Sequence, residues 1–306
     1  MKIAIVGVGA MGSVYAGLLG TAGNDVWVLD PSVEHLAAIA ESGLRVEGAS
    51  GDRVARIGVA SDPAEIGAVD LVVIATKARD VRAAATAALA LLGPETVVLP
   101  IQNGLGSLDA AAEILGEAFV VGGIAGGFGA SLVAPGHVHH HGMELIRIGE
   151  LSGPATPRLE RIAETWRAAG FKAETCDNLD RLVWEKLICN ACFSGPCTIL
   201  DVTIGEVLDE SHAWSVAAAC ATEAWQVARA SGVDLSFDDP LPFVRAFGEK
   251  LRGARPSMLL DRLARRPSEV DVINGAIPPR AAALGLEAPA NATVTALVRA
   301  LEATYP

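Results

Sequence analysis

The hexapeptide Gly7-Val8-Gly9-Ala10-Met11-Gly12 carries three glycines at the spacing of a phosphate cradle. The first glycine permits a tight turn, and the second lets the backbone approach a pyrophosphate. The third packs a helix on a strand, and the N-terminus of that helix attracts the phosphate charge. The spacing alone is weak; here it directly follows an apolar strand and opens a helix, as the chemistry requires. Asp30 stands eighteen residues after Gly12, at the end of the next apolar run. A carboxylate there accepts hydrogen bonds from the adenosine ribose hydroxyls and repels a 2′-phosphate. Pro31 follows, and no Arg or Lys lies between Asp25 and Arg45. These residues favour NAD over NADP; otherwise Asp30 would serve as a cap for a helix from Pro31 onward.

Three more polar groups interrupt apolar stretches. Leu71–Thr76 ends in Lys77, and Thr96–Ile101 ends in Gln102-Asn103-Gly104-Leu105-Gly106. A lysine in such a place is usually solvated and Asn-Gly is usually a turn. Both nevertheless fall on the strand edge where wound sheets bind ligands. Lys186 and Asn190 are four apart, which puts them on one helical face, with Ser194 a turn further on. Lys186 lies among Leu182, Val183, Leu187 and Ile188, so it either snorkels or does chemistry.

The elements that would position these groups alternate in the first half. Ile3–Val6, Val26–Leu29, Leu71–Thr76 and Thr96–Ile101 are short apolar runs, as for strands buried on both faces. Helical stretches at Met11–Gly20, Pro31–Ser42 and Val81–Leu92 lie between them. The pattern is that of a doubly wound parallel sheet. Leu44–Glu47 and Val54–Val59 flank the turn signal Ala49-Ser50-Gly51-Asp52 and predict a hairpin inserted into that sheet. Further strands are expected at Phe119–Gly122, Gly136–His141 and Glu144–Ile148. After about Gly170 strand signals fade, and helical periodicity covers Asp180–Cys192, Ala213–Ala230, Leu241–Leu251, Ser268–Gly275 and Asn291–Ala303. The fold class expected is α/β: a Rossmann-type, doubly wound domain over residues 1–176, then a mainly α-helical domain over 177–306.

The chain has 306 residues, 51% of them hydrophobic, which excludes intrinsic disorder. A net charge of −12 argues against nucleic acid or an anionic membrane as a partner, although a local basic pocket for a small anion is compatible with it. No run of 18 apolar residues predicts a membrane span. Five cysteines, an odd number in a large-core chain, fit a reduced, cytoplasmic compartment. The N-terminus reads as a mature one that begins in a strand.

Taken together, the motifs make the chain resemble ketopantoate reductases (2-dehydropantoate 2-reductases), within the 6-phosphogluconate-dehydrogenase-like group. The resemblance rests on the Gly7–Gly12 loop, Thr76-Lys77 and Gln102–Gly106. It continues through Pro135-Gly136-x-Val138, Trp184-Glu185-Lys186-Leu187-x-x-Asn190 and Ser257-Met258-Leu259-x-Asp261. It closes with Glu269-Val270-Asp271-x-Ile273-Asn274-Gly275. It implies NADPH-linked reduction of 2-dehydropantoate to (R)-pantoate, in a cleft between a wound and a helical domain. By analogy Lys186 is the general acid and Glu269 lies near the nicotinamide end. Asn103 and Asn190 contact substrate or cofactor, Ser257 binds the substrate carboxylate, and Ser194 joins the substrate set. The cofactor set is Gly7, Val8, Gly9, Ala10, Met11, Gly12, Asp30, Lys77, Asn103, Ala130 and Glu269. Hydride transfer to a ketone builds negative charge on its oxygen, and a cationic lysine both stabilises that charge and supplies the proton. The chain departs from the family at Asp30-Pro31, where the family prefers NADP. It departs again at Ser194-Gly195, where a second asparagine is common, and at a longer Pro196-Cys197-Thr198 segment. These leave room for another 2-keto or 2-hydroxy acid as substrate. A non-catalytic dinucleotide-binding regulator would need neither Lys186, Ser257 nor Glu269.

His137-Val138-His139-His140-His141 places three histidines on one strand face, but no carboxylate or thiol spacing completes a ligand set, so no metal is expected. Cys189-x-x-Cys192 and Cys197 read as buried structural thiols. Trp166, Trp184, Trp214 and Trp225 are expected in the core of the helical part. The basic run Arg252–Arg266 is a solvated face or an attractor for an anionic substrate. Acidic, apolar-rich helical domains often self-associate, so a homo-oligomer stays open.

Overall fold

The computed structural model describes residues 1–127, 129–142 and 145–305. The chain forms two compact units: Met1–Gln102 with Gly106–Leu179, and Asn103–Leu105 with Asp180–Pro306.

The first unit runs β1 (Lys2–Val6), α1 (Ala10–Thr21), β2 (Asp25–Leu29), α2 (Val33–Ser42), β3 (Leu44–Gly48), β4 (Arg53–Ala55), β5 (Gly58–Ala60) and β6 (Leu71–Ile74). It continues with α3 (Val81–Ala88), β7 (Val97–Pro100), α4 (Ser107–Leu115), β8 (Val121–Gly126), β9 (Gly129–Ala134), β10 (His137–Gly142), β11 (Leu145–Glu150), α5 (Pro157–Ala168) and β12 (Ala173–Cys176). The central sheet is five-stranded and parallel, in the order β5-β2-β1-β6-β7. Its strands are continuous apolar runs because both faces are covered. Ile3 and Ile5 join the cluster containing Val14 and Leu18 of α1, whereas Ala4 and Val6 join that of α3 and α4. The chain winds outward from β1 in both directions, so a topological switch point lies at its carboxyl end.

The expected hairpin exists as β3 and β4, but not in the wound sheet. It belongs to a second sheet, β4-β3-β10-β9. The expected second arm, Val54–Val59, splits: β4 ends at Ala55, and β5 from Gly58 pairs with β2 in the central sheet. Alternation within a short segment is blind to this, because the partner of β3 lies about ninety residues away in β10. A third sheet, β12-β11-β8, contains β12, a strand beyond Gly170 that the fading of strand signal did not predict. The strand expected from Phe119 begins at Val121, after a 3-10 turn at Glu117–Phe119. The first residue of the expected strand Glu144–Ile148 lies outside the described residues. Trp166, expected in the helical part, is fully buried on α5 in the first unit, with its ring edge-on to Tyr15 of α1 at 5.1 Å.

The second unit contains α6 (Leu179–Leu200), α7 (Ile204–Asp209), α8 (Ser211–Ala230), α9 (Pro240–Lys250), α10 (Ser257–Leu263), α11 (Ile277–Ala283) and α12 (Pro289–Glu302). Trp184, Leu187, Ile188 and Phe193 of α6 lie in its core with Val227 of α8, Val244 of α9 and Val298 of α12. α6 continues past Pro196, which lacks a helical N–H donor. The helix expected at Ser268–Gly275 is instead two 3-10 turns, Val270–Val272 and Asn274–Ala276. Ser268 Oγ accepts from the Val270 N–H at 3.3 Å.

Candidate active site

In the first unit the site begins at the carboxyl end of β1. Gly7 has φ +92° and donates its N–H to the Leu29 carbonyl at 2.8 Å. A Cβ on Gly7 would lie 2.6 Å from Thr76 Cγ2, and one on Gly12 would lie 1.9 Å from the Gly7 carbonyl oxygen. Nothing stands within 4 Å of a Cβ on Gly9. The first and third glycines are thus packing necessities, and the second leaves an open approach to the backbone. α1 has neither a side-chain cap nor an acidic residue in its first turn, so its N-terminal dipole is not neutralised locally. This suits a pyrophosphate over Val8, Gly9, Ala10 and Met11.

Asp30 follows β2. Its carboxylate accepts from the Val8 N–H and from the Ser32 N–H, both at 2.8 Å. Each oxygen keeps a lone pair for a ribose hydroxyl. The cap of α2 is Ser32, whose hydroxyl accepts from the His35 N–H, so Asp30 braces the glycine loop rather than the helix. Lys77, half-buried, follows β6 and opens a 3-10 turn. Gln102 donates its side-chain amide to the carbonyls of Ile74 (2.7 Å) and Thr76 (3.1 Å), clamping the ends of β6 and β7 together. Thr76 Oγ1 and Gln102 Oε1 are buried with no hydrogen-bond partner among the described residues. Orphaned buried oxygens at a ligand-binding edge are what a dinucleotide's polar groups would satisfy. Ala130 lies in β9 of the second sheet, packed on the same apolar cluster as α1. The donor set and the open backbone at Gly9 therefore fit a nicotinamide dinucleotide.

In the second unit α6 presents Lys186 and Asn190, both half-buried, on one face. One turn on, Ser194 is only 4% exposed, so this face runs into the interior. Burial lowers the Lys186 pKa from its ordinary value to about 8, and the Glu269 carboxylate opposes part of that fall. Glu269 immediately precedes the two 3-10 turns. The segment Asn103–Leu105 docks on them, with the Leu105 N–H donating to the Val272 carbonyl at 2.9 Å. Gly104 (φ +82°) makes this docking feasible, because a Cβ there would meet the Val272 oxygen at 2.3 Å. Asn274 ties the same turns to α6 by donating to the Ala191 carbonyl and to Asn291 Oδ1, both at 2.9 Å. Asn103, Lys186, Asn190 and Glu269 are thus carried on segments bonded to one another. Ser257 is exposed at the first position of α10. Glu185 accepts from the Ser236 N–H at 2.8 Å and anchors α6.

Two residues matter beyond those picked out as binding groups. Gln102 lay in a motif without a role. Asn274 lay in the closing motif Glu269–Gly275, likewise without a role. The histidine-rich strand does put His137, His139 and His141 on the face opposite the buried Val138 and His140. Glu47 meets His137 at 3.1 Å and His139 at 3.4 Å, a carboxylate that spacing could not reveal, but Arg45 also sits 3.1 Å from it. Among the described residues no group of three or more His, Cys, Asp or Glu is arranged to hold a metal. In the basic run, Arg252 pairs with Asp209 and Glu249, Arg262 donates to the Thr198 carbonyl and Arg266 pairs with Asp261.

The chain matches the family described as Ketopantoate reductase PanE/ApbA over residues 3–153, and that family's C-terminal region over residues 178–302. It is 32% identical over 302 residues to the 2-dehydropantoate 2-reductase of Archaeoglobus fulgidus, covering 98% of both chains. It is also 32% identical to that of Pyrococcus horikoshii, covering 99% of this chain and 98% of the other. Among solved structures it resembles a PanE/ApbA family ketopantoate reductase from Ralstonia eutropha JMP134, with a TM-score of 0.90, 34% identity and 100% and 99% of the two chains covered. It resembles equally a D-mandelate dehydrogenase solved with NADH and anilino(oxo)acetate, with a TM-score of 0.91, 29% identity and the same coverage.

Proposed function

We propose, from the premise that this chain belongs to the ketopantoate reductase family and is a nicotinamide-dependent oxidoreductase, that it reduces 2-dehydropantoate to (R)-pantoate with Lys186 as general acid. The observation that carries this reading is the half-buried Lys186, with its pKa lowered to about 8 and Asn190 on the same helical face. A nicotinamide dinucleotide held by the glycine loop would supply a hydride to the keto carbon. Lys186 gives its proton to the oxygen on which negative charge grows, and a lysine poised near the working pH does so efficiently. Asn103 and Asn190 orient the keto acid, Ser257 receives its carboxylate, and Glu269 keeps Lys186 charged at rest. Gly7–Gly12 and Lys77 hold the dinucleotide phosphates.

Asp30 supports NADH over NADPH, because a carboxylate braced by two backbone N–H groups cannot swing away from a 2′-phosphate. A second reading, reduction of another 2-keto acid, draws on the likeness to the NADH-bound D-mandelate dehydrogenase and on the buried Ser194. The five cysteines, four of them buried thiols, support a reduced cytoplasmic setting. The deciding experiment follows nicotinamide absorbance with 2-dehydropantoate and either NADPH or NADH. The expected result is turnover of about 1–10³ s⁻¹, faster with NADH. Turnover with a bulkier 2-keto acid alone would establish the second reading, and binding without turnover on any keto acid would remove both.

A further inference from the structure

His35 is 4% exposed, although it sits in the first turn of α2 beside the exposed Ser32, Val33 and Glu34. Its Nδ1 accepts from the Gly136 N–H at 3.0 Å, which leaves the ring proton of the neutral imidazole on Nε2. Nε2 stands 3.1 Å from Ser13 Oγ, and Ser13 Oγ donates to the Val8 carbonyl at 2.9 Å. The directions are therefore forced along the whole relay, from Gly136 N–H to imidazole, to hydroxyl, to Val8 carbonyl. Val8 lies in the middle of the glycine loop, and its own N–H is held by Asp30. The peptide joining Val8 to Gly9 is planar and trans, so fixing the Val8 carbonyl aims the Gly9 N–H the opposite way. Gly9 is the loop position with open space before it.

We infer that His35 is a positioning residue for the dinucleotide loop: acting through Ser13, its neutral imidazole orients the Val8–Gly9 peptide toward the phosphates and lets go when protonated. Protonation puts a second ring N–H against the Gly136 N–H, donor against donor, and charges a buried ring. Burial lowers the His35 pKa from its ordinary value, and the nearby Asp30 opposes this in part. Of the groups facing the ring, Ser13 of α1 and Gly136 of the turn before β10 carry no charge, and on α2 Glu34 is exposed. The relay is thus intact at neutral pH and fails in acid. It couples the loop to a turn some 130 residues distant in sequence. The inference rests on the reading of Gly7–Gly12 as the dinucleotide site.

The test is NADH affinity, measured by nicotinamide fluorescence between pH 5 and 8, for wild type, His35→Gln, His35→Ala and Ser13→Ala. Ser13→Ala removes a single oxygen and keeps the test alive if His35→Ala does not fold. Ser13→Ala and His35→Ala should weaken NADH binding about tenfold at pH 8, one relay bond's worth. The kcat at saturating NADH should stay within about twofold. Wild type should lose affinity in acid, at lower pH than an ordinary histidine would titrate, because burial lowers the His35 pKa. His35→Gln, whose amide can donate to Ser13 without titrating, should recover much of the affinity and flatten the pH dependence. Unchanged affinity in folded Ser13→Ala, or the same acid loss in His35→Gln as in wild type, overturns the inference while leaving the dinucleotide reading intact. Wild-type protein that binds neither NADH nor NADPH overturns both.

Discussion

Lys186 combines two demands that pull against each other. In the proposed role its stem must sit among apolar neighbours to lower its pKa, yet its ammonium must exist when a keto oxygen needs a proton. Burial and Glu269 settle this near pH 8. Lys186→Ala should lower kcat about 10²–10⁴-fold while dinucleotide binding persists. With Lys186 as the proposed proton donor, log kcat for reduction should fall as pH rises through about 8. A pH–rate profile checks this, and a profile flat to pH 10 would exclude Lys186 as the proton donor. The direction of the Lys186 shift was legible in its apolar neighbours, because desolvation lowers a lysine pKa; its opposition by Glu269 was not, because the two residues are separated by 83 positions.

Among elements, the two 3-10 turns after Glu269 do the work that a regular helix was expected to do. They expose the Val272 carbonyl to Leu105 and aim Asn274 at the Ala191 carbonyl of α6. Helical periodicity at Ser268–Gly275 mimics this because a 3-10 turn repeats nearly as an α-turn does. Gly104→Ala should be costly, since it adds a clash with the Val272 oxygen to left-handed backbone strain of about 1–3 kcal/mol. Gly106→Ala, at φ +94° with open space around it, should cost the strain alone. Thermal melts of the two variants compare them, together with KM for the keto acid, which should rise only in Gly104→Ala. Equal melting temperatures would mean that the segment docks less tightly than its geometry implies.

At the scale of the molecule, the candidate site residues fall into both units. The first carries the glycine loop, Asp30 and Lys77, and the second carries Lys186, Asn190, Ser257 and Glu269, with Asn103 joined to it from the middle of the chain. No described helix is long and apolar enough to cross a membrane. Cys189, Cys192, Cys197 and Cys220 are buried and Cys176 is half-buried. Burial pushes the Cys197 and Cys220 thiols up to about 12, so little reactive thiolate exists at pH 8. Thiol titration with an aromatic disulfide should therefore count one reactive cysteine in the native protein and five in denaturant. Four fast-reacting native thiols would contradict the buried core of the second unit.

The sequence by itself determined what depends on neighbours along the chain. Apolar runs of four to six residues specified β1, β2, β6 and β7 of the wound sheet, and three glycines specified a loop that backbone sterics allow only there. Ordered motifs from Gly7 to Gly275 specified the family. Tertiary structure alone decided which strands pair, as β3 with β10, and where Trp166 is buried. It also decided how His35, Ser13 and Gly136 join into one relay, and how Asn103–Leu105 meets the turns after Glu269. The reason is physical. Periodicity and turn chemistry are local backbone preferences, whereas strand partners, tautomers and shifted pKa values depend on burial and hydrogen bonds between segments that only folding brings together.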